Sequence, residues 1–297
     1  MSKFSSMFGF MLLASLVSVG ERASACSSCG SGGADPVILN PYENHKLYLG
    51  LSHQSGFRDI DHHGKTRKSY GPEQKQSFDL AFAQRLLPKL FVSAVVNFGR
   101  NVHGSDSEMQ NGDVSLNARA SLVQPNIAEP WIPQIQVMAG HRFGIARSIY
   151  DQKRQHGLDV FGAGYDETYL GTDIWYGMST VMFGGSVIFG LPREAETDAG
   201  RVQPGRMQRL IGTLGGMPWD EVKIIGGLIH EQRGGFKLDG ALQSNSDRLN
   251  HDLFLTLETL YSEGSNYRVT LNRRAAWGEN RNAAQANALT LAWMRAL

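Results

Sequence analysis

Residues 76–101 read QSFDLAFAQRLLPKLFVSAVVNFGRN and decide how the rest of the chain is interpreted. On both sides of a Pro-containing turn, large apolar side chains alternate with small or polar ones, a period of two that is typical of β-strands. Two such segments around a short turn predict a β-hairpin. One face is apolar and partly aromatic, and the other is small and polar. The apolar set is Phe78, Leu80, Phe82, Val92, Val96 and Phe98, and the polar set includes Asp79, Ser93 and Asn97.

The same period of two recurs along the whole chain. With the opening hairpin it gives about twelve predicted strands, each near the ten residues that a tilted strand needs to cross a bilayer. The further segments are residues 46–52, 113–123, 134–143, 168–178, 181–189, 207–216, 222–233, 251–262, 267–274 and 286–297. The sequence therefore predicts an all-β protein with an even number of strands.

The connections between these strands alternate in length. The odd ones are long (residues 55–75, 103–112, 144–166, 191–205 and 234–248) or intermediate (278–285), and the even ones are short except for residues 125–133. Outer-membrane barrels have short periplasmic turns and longer extracellular loops. A soluble secreted all-β protein, which is the alternative, has no reason to show this alternation.

In their regular strands and alternating connection lengths, residues 45–297 resemble the Gram-negative outer-membrane β-barrel proteins of porin or transporter type. They contain no diagnostic motif for one family. The resemblance implies a transmembrane antiparallel up-and-down β-barrel of about twelve strands in the outer membrane. It also implies contact with outer-membrane lipids and lipopolysaccharide, and insertion by the barrel assembly machinery. Such proteins usually end in Phe or Trp, whereas this chain ends in Leu297.

Composition excludes other classes. The chain has 297 residues and a net charge of +1, which gives no argument for binding nucleic acid. Its mean hydropathy is −0.27, and beyond the N-terminus it has no run of about 18 apolar residues, so a bundle of membrane-spanning helices is not expected.

The N-terminus predicts export. Residues 1–25 combine Lys3, a short apolar run and an Ala-Ser-Ala cleavage site, the pattern of a secretory signal peptide. Residues 26–44 then form a Cys/Gly/Ser-rich tether on the periplasmic side. Its Cys26 and Cys29 are the two cysteines of the chain. Cys26 is a candidate for lipidation, and the C-x-x-C pair is alternatively a disulfide, a thiol redox site or half of a metal site.

The small and polar strand faces are expected to line the inside of the barrel. Both signs of charge occur there, so we expect no strong preference for anions or cations. The predicted lumen-lining charges are Asp79, Arg119, Arg142, Glu167, Asp173, Glu231, Arg233, Asp252, Glu258, Arg268 and Arg274. These charges either border a narrow passage or pair across the lumen and close it.

The main functional hypothesis is a narrow channel or transporter for small polar solutes, with no cofactor. An alternative is a non-conducting membrane platform whose Cys26–Cys29 tail engages a periplasmic redox or metal-handling partner. A metal-capturing mouth at His62 and His63 is a further hypothesis, beside the plainer interpretation that these histidines are solvated. A lipid hydrolase would need a Ser near His141 or His230, and no motif selects one. Oligomeric state and solute do not follow from the sequence.

Overall fold

Twelve long strands follow one another through the computed structural model, which describes Leu39 and residues 43–124, 132–178, 181–219, 221–261 and 265–297. The strands are β1 (His45–Ile60), β2 (Gln74–Leu87), β3 (Leu90–His103), β4 (Asp106–Val123), β5 (Gln134–Phe143), β6 (Glu167–Met178), β7 (Val181–Pro192), β8 (Met207–Trp219), β9 (Val222–Arg233), β10 (Arg248–Tyr261), β11 (Ser265–Arg274) and β12 (Ala283–Ala296). Each predicted strand segment overlaps one of them, and β1 and β4 extend well beyond the predicted bounds.

The strands form one closed antiparallel barrel. Each strand pairs with its neighbours in the chain, and β12 returns to pair with β1, from Lys46 opposite Ala296 to Ile60 opposite Ala283. One register shift in this seam falls between Ser55 and Arg58. Closure leaves no unpaired edge, which is the condition for a sheet to span a membrane. The predicted up-and-down barrel of twelve strands is confirmed.

Burial in this barrel is reversed relative to a soluble protein. In β2, Asp79 is 0% exposed, whereas its neighbours Leu80 and Phe82 are 36% and 40% exposed. The same alternation continues in β3, where Ser93 and Asn97 are buried and Ala94 is exposed. An apolar outer surface around a polar interior is expected when the surroundings are lipid. The predicted faces of the opening hairpin are therefore those of the structure.

The connections separate the two ends of the barrel. We call the end with the extended connections the loop end and the other the turn end; by the rule for such barrels these are the extracellular and periplasmic ends. The predicted long connection at residues 103–112 is wrong. β3 and β4 stay paired up to His103 and Asp106, so Gly104 and Ser105 form a tight turn, with Gly104 at φ +57°.

Short elements add to the loop end. A four-stranded sheet joins two connections through Ala195–Thr197, Gly200–Gln203, Lys237–Leu238 and Ala241–Leu242, and Thr66–Lys68 extends the sheet beside β1. The described helices are two single 3₁₀ turns, Ile149–Asp151 and Gln155–Gly157. No helix within the described ranges is long and apolar enough to cross a membrane.

An apolar cluster fills the interior at the turn end. Leu39, which precedes the barrel, is 2% exposed and packs with Tyr48 of β1, Phe91 of β3 and Met294 of β12. The Tyr48 ring crosses the inner wall at Gly50, where a Cβ would lie 2.6 Å from the Tyr48 hydroxyl oxygen. The interior is therefore narrow at this end.

Candidate functional site

The inward-facing charges are the first candidate for a functional site, and all eleven predicted lumen-lining residues lie on the inner face. Nine are less than 9% exposed: Asp79, Arg119, Arg142, Glu167, Asp173, Glu231, Arg233, Asp252 and Arg274. The other two, Glu258 and Arg268, form an ion pair of 2.9 Å near the turn end, with side chains 12% and 18% exposed. Whether these groups contact a passing solute stays a prediction.

Glu167 is the centre of one charge network at the loop end. Arg142 Nη2 donates to Glu167 Oε2 at 2.9 Å, and Arg233 Nη1 donates to Glu167 Oε1 at 2.8 Å. The Tyr169 hydroxyl donates to the same carboxylate at 2.9 Å. These side chains come from β5, β6 and β9, so the network links strands that are not neighbours and crosses the interior.

Glu231 is the centre of a second network. It accepts from Arg209 Nε at 2.9 Å, and Arg248 Nη2 lies 3.8 Å from its other oxygen. Nearby, Asp252 accepts from Asn250 Nδ2 at 2.7 Å and from the backbone N–H of Ala275 at 2.9 Å. A charge that is buried with a partner is tolerated, whereas an isolated one is costly. The networks therefore hold the interior side chains in place.

Other charges of the interior form simpler pairs. Arg119 of β4 pairs with Asp173 of β6, and Asn97 donates to Asp79 between β3 and β2. Both interactions are between neighbouring or next-neighbouring strands. A separate apolar cluster of the interior contains Met138, Tyr169, Ile188 and Met207.

Residues 144–166, which we call the inner loop, fold into the loop end of the barrel. Asp113 of β4 accepts the backbone N–H groups of Ala146 and Ala163 at 3.1 and 2.8 Å. Asn101 of β3 donates to the carbonyl oxygens of Leu158 and Val160, both at 3.0 Å. These bonds tie the inner loop to the inside of the wall.

The aromatic side chains of the inner loop occupy the lumen. Phe161 is 0% exposed and covers Gly99, where a Cβ would lie 2.5 Å from Phe161 Cδ1. The Tyr165 ring lies 5.3 Å from the Arg142 guanidinium and 5.9 Å from that of Arg233. Because Arg142 and Arg233 belong to β5 and β9, the loop constricts the passage between these walls.

The carboxylate of Asp159, which belongs to the inner loop, also holds the loop in its conformation. Burial by itself would raise the pKa of Asp159, but the backbone N–H of Lys153 and the guanidinium of Arg147 donate to it at 2.9 and 2.7 Å. Together with Arg154 they hold the pKa of Asp159 below its ordinary value. Burial raises the pKa of Tyr150 to about 12, so its hydroxyl stays protonated. At neutral pH the Asp159 carboxylate is therefore ionised and can accept these hydrogen bonds.

Sequence reasoning missed several interior groups. Lys75 belongs to the same strand face as Asp79, but it lies one residue before the predicted hairpin, which begins at Gln76. Arg209 lies in a Gly-rich strand whose faces were unclear, and Arg248 precedes the predicted start of its strand at residue 251. Extending the alternation by a few residues at the loop end finds Lys75 and Arg248, whereas the Gly-rich pattern around Arg209 hides its face. No comparable sequence pattern predicts that the inner loop folds into the barrel.

The hypothesis of a metal-capturing mouth concerns His62 and His63. Both are exposed, with ring centroids 3.8 Å apart. The adjacent Asp61 is engaged by the backbone N–H groups of His63 and Lys65 and by the Arg67 side chain. Within the described ranges no three His, Cys, Asp or Glu side chains gather as a metal site would require. Metal capture therefore stays a hypothesis.

The outward histidines near the loop end bear on the hydrolase hypothesis. His141 Nδ1 lies 3.1 Å from the Thr168 hydroxyl, and its Nε2 is 3.8 Å from Asp166. His230 Nδ1 lies 2.9 Å from His251 Nε2. Neither contact is the Ser–His pair that the hypothesis needed, so the geometry gives it no support.

The signal peptide of residues 1–25 and both tether cysteines, Cys26 and Cys29, lie outside the described residues. Of the tether, the structure describes Leu39, Glu43 and Asn44. Lipidation, thiol chemistry and a periplasmic partner thus stay predictions.

A closed twelve-strand barrel with an apolar wall and a charged interior defines an outer-membrane β-barrel protein. The structure is similar to that of an outer membrane channel from Pseudomonas putida F1, with a TM-score of 0.68 and 12% identity over 87% of this chain and 99% of the other. It is also similar to the NanC porin, with a TM-score of 0.53 and 8% identity over 84% and 100% of the two chains.

Comparison of sequences adds no closer relationship. No family model matches the chain, and no curated protein sequence matches it significantly. At these identities the structural likeness establishes the fold.

Proposed function

We propose that this protein is a narrow outer-membrane channel for small polar solutes, constricted by its inner loop. The observation that carries the proposal is the closed barrel whose inward side chains are charged while its wall is apolar. A barrel that served only as an anchor has no need of a charged interior, because burying charge is costly. The similar Pseudomonas putida protein is itself described as a channel, which supports the same role.

The constriction makes the channel narrow. The buried pairs around Glu167 and the Phe161 and Tyr165 rings occupy the loop end. A solute that passes has to be small and able to replace hydrogen bonds of the wall, which favours polar solutes over apolar ones. Passage requires the inner loop to move by at least the size of the solute, and its attachments at Asn101 and Asp113 set how readily it does so.

Single-channel recording in planar bilayers tests the proposal. The wild-type barrel should show discrete conductance steps, and Phe161→Ala should raise the step size because it removes the ring that covers Gly99. The matched control is Phe189→Ala, since Phe189 faces outward and is 48% exposed. A folded wild-type barrel that shows no conductance steps would overturn the proposed function. Equal step sizes in the two variants would overturn the role of the inner loop.

A further inference from the structure

The inner wall of the barrel carries an apolar patch at the turn end. Further along the same strands the inner wall is polar, as at Ser52, Asp79 and Asn97. The side chains of the patch face inward and are at most 7% exposed: Tyr48 of β1, Ala81 and Ala83 of β2, Phe91 of β3, and Ala292 and Met294 of β12. Apolar surface that faces an aqueous passage is unfavourable, so this patch requires an apolar cover.

Leu39 covers the patch. It is 2% exposed and belongs to the same cluster, although it precedes the first residue of β1 in the chain. Tyr48, a member of this cluster, lies three residues inside β1, which is roughly 10 Å along the strand from its start at His45. The chain before β1 therefore turns back into the lumen, where Leu39 packs among side chains of four strands.

Hydrogen bonds at the mouth of the barrel fix this return. Arg85, near the end of β2, donates from Nε to the carbonyl oxygen of Glu43 at 2.9 Å, and its backbone N–H donates to that of Asn44 at 2.8 Å. The Glu43 carboxylate also pairs with Lys46 Nζ at 2.6 Å. We call Leu39, Glu43 and Asn44 together the plug segment. Its last two residues are held at the rim, and its first residue lies inside.

We propose that the plug segment is a gate that closes the turn end of the channel, in series with the constriction by the inner loop. The proposal rests on the channel function above and goes beyond the expectation of a simple tether. Three of the six wall positions of the patch are alanines, which leave the space that Leu39 occupies. When Leu39 withdraws, this space becomes part of the passage.

The apolar character of the contact suits a gate. Apolar contacts are non-directional, so Leu39 leaves the patch without breaking a hydrogen bond of its side chain. Withdrawal exposes both Leu39 and the patch to water, which favours the closed state. The hydrogen bonds of Arg85 with Glu43 and Asn44 keep the plug segment at the mouth, so that the gate can close again.

Single-channel recording distinguishes this gate from the inner loop. Leu39→Ser removes most of the apolar contact and should raise the ratio of open to closed time by roughly 10-fold to 150-fold. The step size should stay that of the wild type, because the inner loop is the constriction that remains when the gate is open. The matched control is Leu242→Ser at the loop end, where Leu242 is 66% exposed, and it should leave the ratio unchanged.

Thiol labelling locates the plug segment without any measurement of conductance. The background is Cys26→Ser with Cys29→Ser, which removes both native thiols. In the folded barrel in detergent, Leu39→Cys should react with a maleimide reagent at least tenfold more slowly than Leu242→Cys. In the chain unfolded by urea the two rates should become equal.

The two measurements separate failure of the gate from failure of the channel. Absence of conductance steps in the wild type overturns the channel function, whereas the labelling rates still test where the plug segment lies. An open-to-closed ratio that Leu39→Ser leaves unchanged, or labelling of Leu39→Cys as fast as that of Leu242→Cys in the folded barrel, overturns the gate alone. Heat-dependent migration in gels confirms that each variant is folded.

Discussion

Replacing Val187 with arginine tests which face of the barrel meets lipid. Val187 lies near the middle of β7, faces outward and pairs with Thr172 and Leu210. Its neighbours on the outer surface include Phe189 and Leu170, which are 48% and 49% exposed. An arginine at the midplane of the lipid face of a barrel costs about 2–4 kcal/mol. This corresponds to a loss of roughly 30-fold to 900-fold in the folding equilibrium constant.

The adjacent Ser186 supplies the matched variant. It faces inward and is directly opposite Asp173, which Arg119 already binds, so Ser186→Arg adds a second cation beside that anion without entering lipid. An opposite-charge pair across strands contributes roughly 0.2–1 kcal/mol, which offsets part of the cost of the larger side chain. The structure therefore predicts that Val187→Arg is the more destabilising of these two neighbouring substitutions in one strand.

Denaturant titration of the purified barrel in phospholipid vesicles, followed by tryptophan fluorescence, gives both free energies of unfolding. If Ser186→Arg proved as destabilising as Val187→Arg, or more so, the assignment of inner and outer faces would be wrong. The reversed burial that defines the barrel would then have no support from the energetics.

Two further predictions concern the interior. Glu167→Gln leaves the buried cations Arg142 and Arg233 without their shared carboxylate and should lower the free energy of unfolding by about 3–5 kcal/mol. The control Asp198→Asn, which breaks an exposed ion pair, should lower it by less than about 1 kcal/mol. Similar losses in the two variants would contradict the network. The pKa of Asp159 is held below its ordinary 3.8, so its stabilisation of the inner loop is present above that pH and is lost as the pH falls further. Single-channel conductance should accordingly rise below about pH 3.8 and should be raised at neutral pH in Asp159→Asn; a pH-independent step size would refute this.

The alternation of apolar and polar residues was sufficient to predict the strands and most of their faces, because a strand in lipid has to keep one apolar side. In β2 and β3 the assignment follows residue by residue, from Phe78 outward to Asp79 inward. It failed at residues 103–112, where polar residues on both faces were interpreted as a loop. β3 and β4 stay paired there, and a paired strand outside lipid does not need an apolar face.

The inner loop could not be predicted because its position depends on contacts far apart in the chain. Asn101 and Asp113 bind backbone groups of residues 146–163, and such bonds leave no periodic pattern. Two interior cations were missed for a related reason. Arg209 and Arg248 lie in segments where Gly or a strand end obscured the parity.

The seam between β1 and β12 has a consequence for the order of assembly. Lys46 and Ala296 meet across it although roughly 250 residues separate them, so this pairing has the largest entropy of chain closure in the molecule. Until the seam closes, β1 and β12 each carry a row of backbone groups that lipid cannot satisfy. Insertion therefore has to shelter two open edges at once until this seam closes.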